Sequence, residues 1–493
     1  MQFFLSIFCQ NDDIYGYIMV FNSFQFLLFF PITVLAYFIF PKRIKNYWLL
    51  AASYIFYMGW NPKYALLLFF STAVTFFASL LLEKYRRKEK LILIFALSLV
   101  FILLFYYKYL NFALSLTEKL FILADINLSI PKFDIILPVG ISFFTFQAAG
   151  YLIDVYRGEI NTERNFFKYA LFVSFFPQLV AGPIERSKNL LNQLDRTYSF
   201  DFTRVKNGLF TMLYGYILKM VIADRASILV DFVYSNNNAT GIQIAFATFI
   251  FAFQIYCDFY GYSTIAIGAS RILGIELMQN FNAPYFSVSF KDFWRRWHIS
   301  LSTWFRDYLY IPLGGSRCGR FRKNLNIIIV MLVSGIWHGA GLHFVAWGLL
   351  NGLFQVFDDL AAKLKTKIPK IIQISATFFC ACFCWIFFRA NSLTDAFKFI
   401  RNIILNFEPK TLTGDLLLKY GLNKSEIYFL LLSVFVLVIC DYLKWRNISL
   451  KKNVFSRKWY IQSAVFIAGL LTVAVFGVWG SEYNPAAFIY FQF

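Results

Sequence analysis

The sequence predicts an all-α protein that crosses a membrane many times, and three observations carry that prediction. Of 493 residues, 59% are hydrophobic and 21% aromatic, with 63 phenylalanines and a mean hydropathy of +0.58. Charged residues make up only 15% of the chain, against about 25% in soluble domains. Long apolar runs alternate with loops rich in Lys and Arg. A soluble globule of this composition would expose a large greasy surface. Soluble-enzyme, disordered and small disulfide-framework classes are therefore excluded.

A spanning helix needs about 20 mostly apolar residues. The first run, 24–40, is followed by Lys42, Arg43 and Lys45. The second, 47–60, ends at Asn61-Pro62, and the third, 64–82, leads into Lys84, Arg86, Arg87, Lys88 and Lys90. A fourth extends from 91 to about 107. Basic loops fall at every second connection, which places them in the cytoplasm and the start of the first helix outside. Residues 1–18 have no basic n-region and no small-residue cleavage site. They read as an N-terminal extension or a misplaced start, and 19–487 as one membrane-embedded domain.

Further apolar runs lie at 135–153, 166–181, 208–233, 242–268, 325–337, 344–357, 371–388, 427–440 and 461–478. Several are too short or too glycine-broken to cross alone, which points to re-entrant pieces buried in protein. The expectation is about 11 spans with re-entrant or interfacial helices, and polar loops at 195–207 and 406–425. No repeat of one half in the other is visible. The net charge of +20 fits cytoplasmic loops against an anionic leaflet rather than nucleic-acid binding. Seven cysteines imply no disulfide framework, and Cys380, Cys382 and Cys384 read as small packing residues.

Two stretches carry polar chemistry in apolar surroundings. In 289–315, Phe290, Trp294, Trp297, Leu301, Trp304 and Tyr308 recur at helical spacing, with Lys291, Arg295, His298, Ser302 and Arg306 one step round. Ser289 and Asp292 form a capping box, and Pro312 with Gly314-Gly315 ends the segment. The pattern predicts one amphipathic helix, either lying in the headgroups or lining a cavity for an anionic donor. In 334–341, Gly335 and Gly339 allow a second helix to approach closely. His338 between them is then an imidazole at a tight helix contact, a functional candidate because polar groups in a bilayer are expensive. His343 lies five residues on, which does not make a helix-face zinc pair. With three histidines and no Cys/His cluster, no metal site is expected. Asp258, deep in an apolar run, needs an Arg or His partner or stays protonated, and equally fits a packing or folding contact. These residues by themselves fit an enzyme or a lipid or sugar transporter.

Five segments together resemble bacterial membrane-bound O-acyltransferases of the alginate and peptidoglycan O-acetylation type. They are LPVGISFFTFQAAGYLIDVYRG (137–158), FPQLVAGPIER (176–186), DFYGYSTIAIGASRILGIELMQNFNAP (258–284), FWRRWHISLSTWFRDYLYIPLGGSR and GIWHGAGLHFVAWGLLNG. Tyr260, Leu342, His343 and Asn351 depart from the usual pattern. The resemblance covers the chain from about residue 19 to 493. It implies a ring of helices around a central tunnel, entered by an acyl thioester from the cytoplasm and by the acceptor from the other side. His338 matches the catalytic histidine and would act as general base, and His298 matches the second histidine. Arg295, Arg296 and Arg306 suit, by charge, the phosphates of acetyl-CoA or a phosphopantetheine carrier, a donor substrate rather than a bound cofactor.

The final hexapeptide, Phe488-Ile-Tyr-Phe-Gln-Phe493, resembles the family's acyl-relay tail, with Tyr490 as relay. The preceding loop, with Lys444, Arg446, Lys451, Lys452, Arg457 and Lys458, reads as cytoplasmic and so puts this tail outside. The resemblance implies transfer of acetyl to a cell-surface polysaccharide from the bacterial cytoplasmic (inner) membrane. An extracytoplasmic serine-hydrolase-like subunit would complete the transfer. Phe-, Ile-, Asn- and Lys-rich usage and the chain's own tyrosine tail favour peptidoglycan over alginate or D-alanyl transfer.

Overall fold

The computed structural model describes residues 19–126, 128–180, 182–361, 368–412, 421–479 and 488–489. Every regular element among them is helical. The first four runs become α1 (Phe24–Ile39), α2 (Lys42–Met58), α3 (Tyr64–Lys84) and α4 (Glu89–Leu123). Ser23 starts α1 by accepting from the Phe26 N–H at 3.3 Å. Helix α4 continues well past the predicted end near Tyr107. Its polar residues there are satisfied in place: Asn111 exchanges hydrogen bonds of 2.8 and 3.0 Å with the Phe133 backbone, so they do not stop the helix. At 1.5 Å per residue, α4 is about 50 Å long, longer than a bilayer core.

The predicted run 166–181 is divided into α6 (Phe166–Ser174) and α7 (Phe176–Leu179), after α5 (Ile141–Tyr156). Pro177 in the first turn of α7 has no N–H to continue a preceding helix. Helix α8 spans Ser187–Leu194. The expected loop 195–207 turns helical at Phe202, because Asp201 caps α9 (Phe202–Tyr216) by accepting from the Arg204 N–H at 2.8 Å. Helix α9 passes through a π-helical stretch, Ile217–Ala223, into α10 (Asp224–Ser235).

The axis of the molecule is α11 (Gly241–Leu273), started by a Thr240/Gln243 capping box and stopped at Gly274, φ +97°. It packs backbone to backbone on α9, where a Cβ on Gly215 or Gly268 would run into the opposite helix's carbonyls. There follow α12 (Phe290–Arg296), α13 (Ile299–Phe305), α14 (Gly319–His338), α15 (Leu342–Ala361), α16 (Lys370–Arg389) and α17 (Leu393–Leu405). The last three are α18 (Lys424–Trp445), α19 (Leu450–Phe455) and α20 (Trp459–Phe476). Among the described residues, six helices are long and apolar enough to cross a membrane. Of their most apolar stretches, 72% is buried in α11 and only 11% in α20. Helix α11 is thus the core of the bundle, and α20 leaves most of its side chains exposed on the outside.

The predicted single helix over 289–315 is corrected. It breaks between α12 and α13 at Trp297-His298, then ends in a π-helical turn, Arg306–Tyr310. The aromatic spacing is real, but both halves are buried, and His298 supplies the corner between them. Residues 1–18 and Tyr490 lie outside the described residues.

Candidate functional site

Helix α14 climbs from the basic segment around Arg320, Arg322 and Lys323 and ends on His338. Gly335 brings it against α15, where a Cβ would strike the Phe344 carbonyl. The imidazole is buried in aromatic walls, with ring centroids of Trp337 and Trp347 each 5.0 Å away and Phe388 at 5.4 Å. The predicted close helix contact at His338 is therefore present.

His298 reaches the same place from a bend rather than from a helix face. Its backbone is left-handed, φ +43°, a conformation that costs a non-glycine residue about 1–3 kcal/mol and persists only when its surroundings enforce it. The enforcement comes from buried Asn280. Its carbonyl accepts from the Ile299 N–H at 3.0 Å, and its Oδ1 accepts from the Ser300 hydroxyl at 2.7 Å and N–H at 3.3 Å. Its Nδ2 donates to Ser263 Oγ on α11 at 3.1 Å. Thus fixed, the fully buried His298 ring stands edge-on to Phe259, 4.6 Å away, with the His338 centroid at 6.5 Å. The two histidines are the pair that the sequence pointed to, brought together from positions 40 residues apart.

Asp258 is paired, but with a lysine rather than the expected Arg or His. Lys219, on the π-helical stretch, lies 2.7 Å from both Asp258 and Asp224, and π-bulges concentrate at functional sites. The other Asp258 oxygen accepts from the Ile489 N–H at 2.8 Å. The adjacent Phe488 is fully buried, stacked on Tyr262 at 4.5 Å and 6.3 Å from Phe259. The start of the terminal hexapeptide is therefore anchored in the core, one aromatic ring away from His298. Removing one partner of a buried ion pair typically costs about 3–5 kcal/mol. Lys219→Met is accordingly expected to reduce membrane accumulation and the melting temperature of detergent-purified protein. The triple variant with Asp224→Asn and Asp258→Asn should regain much of both. A Lys219→Met protein that melts like wild type would show that the triad does not hold this region.

The three arginines proposed for the donor differ. Arg295 is exposed, whereas Arg296 holds Asp292 at 3.0 Å and Arg306 holds Asp307 at 2.7 Å. Arg186, which the sequence reading passed over, takes the other Asp307 oxygen at 2.7 Å and lies over the Tyr308 ring. Tyr308 in turn donates to Asp154 at 2.6 Å. FPQLVAGPIER contained Arg186, but nothing in its spacing marked this partner. Among the described residues, no three His, Cys, Asp or Glu side chains gather as a metal site. A cavity of about 470 Å³ opens beside the His338 end of α14, with Lys108, Asn111, His343 and Arg389 in its wall. A second, of about 20 Å³, is lined by His338 itself together with Lys108 and Phe143.

Residues 158–394 match the model of the membrane-bound O-acyltransferase family. The chain is 36% identical over 386 residues to the probable alginate O-acetylase AlgI of Pseudomonas aeruginosa, covering 77% of this chain and 74% of that one. It is 35% identical over 427 residues to the peptidoglycan O-acetyltransferase of Helicobacter pylori, covering 79% and 80%. The teichoic acid D-alanyltransferase of Streptococcus thermophilus is 30% identical over 258 residues, covering 47% and 59%.

Proposed function

The chain belongs to the membrane-bound O-acyltransferase family and is a multi-pass membrane O-acyltransferase, and we propose that it supplies acetyl groups for O-acetylation of peptidoglycan. The observation that carries the proposal is the approach of three segments in one buried region: His338 and His298, 6.5 Å apart, and the anchored start of the terminal hexapeptide, separated from His298 by the ring of Phe259. Tyr490 follows the anchored Ile489 directly in the sequence.

His338 serves as general base and Tyr490 as the first acceptor. The imidazole takes the phenolic proton as the oxygen attacks the thioester carbonyl. The tetrahedral intermediate collapses with cleavage of the C–S bond, and the leaving thiolate recovers the proton from the imidazolium. The product is an O-acetyl-tyrosine, still activated for transfer to a hydroxyl on the outer side. His298, edge-on to Phe259, orients its partner or donates to the thioester oxygen. A thioester needs held geometry and a base more than a Lewis acid. Arg295, Arg296 and Arg306, joined by Arg186, are the cationic groups offered to the phosphates of acetyl-CoA or a carrier.

The alginate and peptidoglycan relatives match this chain alike, at 36% and 35% identity, and the Phe-, Ile-, Asn- and Lys-rich composition is what supports peptidoglycan over alginate. A tyrosine tail within this chain argues against D-alanyl transfer. The site lies in the cytoplasmic membrane, and a serine-hydrolase-like subunit outside takes the acetyl group onward. Deleting the gene should remove base-labile acetate from purified peptidoglycan sacculi, and restoring it should bring the acetate back. Unchanged sacculi together with loss of acetate from an exopolysaccharide would reassign the acceptor. No change in any surface polymer would refute the function.

A further inference from the structure

The last turn of a helix leaves its carbonyls without intrahelical partners, and inside a bilayer water is not at hand to replace them. Helix α14 ends on His338 in this situation, because Gly339 is extended, φ −164°, and offers no left-handed cap. Two consecutive residues of α4, more than 200 positions away in sequence, complete the turn. Tyr109 Oη donates to the Ile336 carbonyl at 2.8 Å. Lys108 Nζ donates to the Trp337 carbonyl at 2.6 Å and to the carbonyl of His338 itself at 3.0 Å. The same ammonium lies 5.7 Å from the Trp337 ring.

Tyr109 demonstrates that a neutral hydroxyl suffices for one of these carbonyls. An ammonium at this depth is costly, so backbone satisfaction alone does not account for it. Its location adds a second observation. Lys108 and Leu137 line both the cavity of about 470 Å³ and the cavity of about 20 Å³ against His338. They form the wall between them. The cation also complements the negative end of the α14 dipole.

We propose that Lys108 is a positioning residue for the acyl transfer: by clamping the carbonyls of Trp337 and His338, it fixes where the imidazole stands relative to the reacting atoms. The proposal rests on His338 being the base. Small displacements of a catalytic group can cost two orders of magnitude in rate, so about a 10-fold or larger loss is the expected reading.

The test follows the initial rate of isotopically labelled acetate incorporation into cell-surface polymer, normalised to the amount of membrane-inserted full chain. Lys108→Met, of similar length without donors, should accumulate and melt close to wild type yet incorporate at least about 10-fold less. Lys108→Arg, which keeps charged donors, should recover most of the rate. Lys108→Leu, likewise without a donor, replaces the methionine variant if the latter does not accumulate. Wild-type normalised rates in the neutral variant, or a loss that only follows protein amount, would overturn the proposal, as would an arginine variant no better than methionine. His338→Ala is run alongside. If it keeps wild-type activity, the assignment of the base has failed; if it is inactive while Lys108→Met is normal, only the clamp has.

Discussion

His338→Ala abolishes polymer acylation while the protein inserts and accumulates at wild-type levels. The structural part of that expectation follows from the surroundings. The imidazole sits between Trp337, Trp347 and Phe388, and those rings keep their contacts with one another when it is cut back to a methyl. Trp347 and Phe388 are 5.4 Å apart, and Trp385 stacks on Trp347. The chemical part follows from the reaction. General-base assistance by a positioned imidazole contributes about 10²–10⁴-fold. The measurement is base-released acetate per sacculus, with the variant's membrane level read on the same sample. A His338→Ala strain with wild-type acetate would remove the base from the mechanism. His298→Ala should lose activity less uniformly. Its side chain supports Phe259 and Phe143, so part of its loss will register as reduced protein.

The membrane class and the first four helices were legible because apolar length and basic loops are one-dimensional signals. The histidines stood out for a related reason: an imidazole in an apolar run has few structural excuses. Asp258 announced that it needed a partner without naming it, since Lys219 sits in a different apolar run, 208–233, and nothing in either run says that the two helices pack together. Periodicity misled at His298. A break in a helix does not disturb the spacing of aromatic residues when both halves pack on one core, and the force that makes the break, Asn280, lies 18 positions upstream. Lys108 was hidden for the opposite reason. One lysine near the expected end of a span looks like a residue escaping to the headgroups, and only its hydrogen bonds to the end of α14 identify it as interior. Local sequence reported what needed a partner; the three-dimensional arrangement supplied which one.

Tyr490→Phe stops polymer acylation with no loss of protein. The hydroxyl is the only group removed, and the aromatic ring remains. The described part of the tail supports the placement. The Ile489 N–H is held by Asp258, itself held by Lys219, and Phe488 is stacked on Tyr262. These contacts fix the chain one residue short of the tyrosine, and Phe259 links the anchor to His298. An interfacial aromatic belt, the ordinary use of terminal aromatics, would leave Phe488 in the headgroups; its full burial beside a charged triad argues against that belt. Breaking the anchor while keeping the phenol should give a graded loss, because the nucleophile is then present but less often in place. Asp258→Asn, which retains an acceptor for the Ile489 N–H, should therefore acylate more than Asp258→Ala at equal protein levels. The decisive measurement is a mass shift of 42 Da, that of one acetyl group, on the C-terminal peptide of wild-type protein trapped during turnover, absent from Tyr490→Phe. Normal polymer acetylation in the phenylalanine variant, at matched membrane levels, would rule the relay out and leave His338 to activate an acceptor hydroxyl directly.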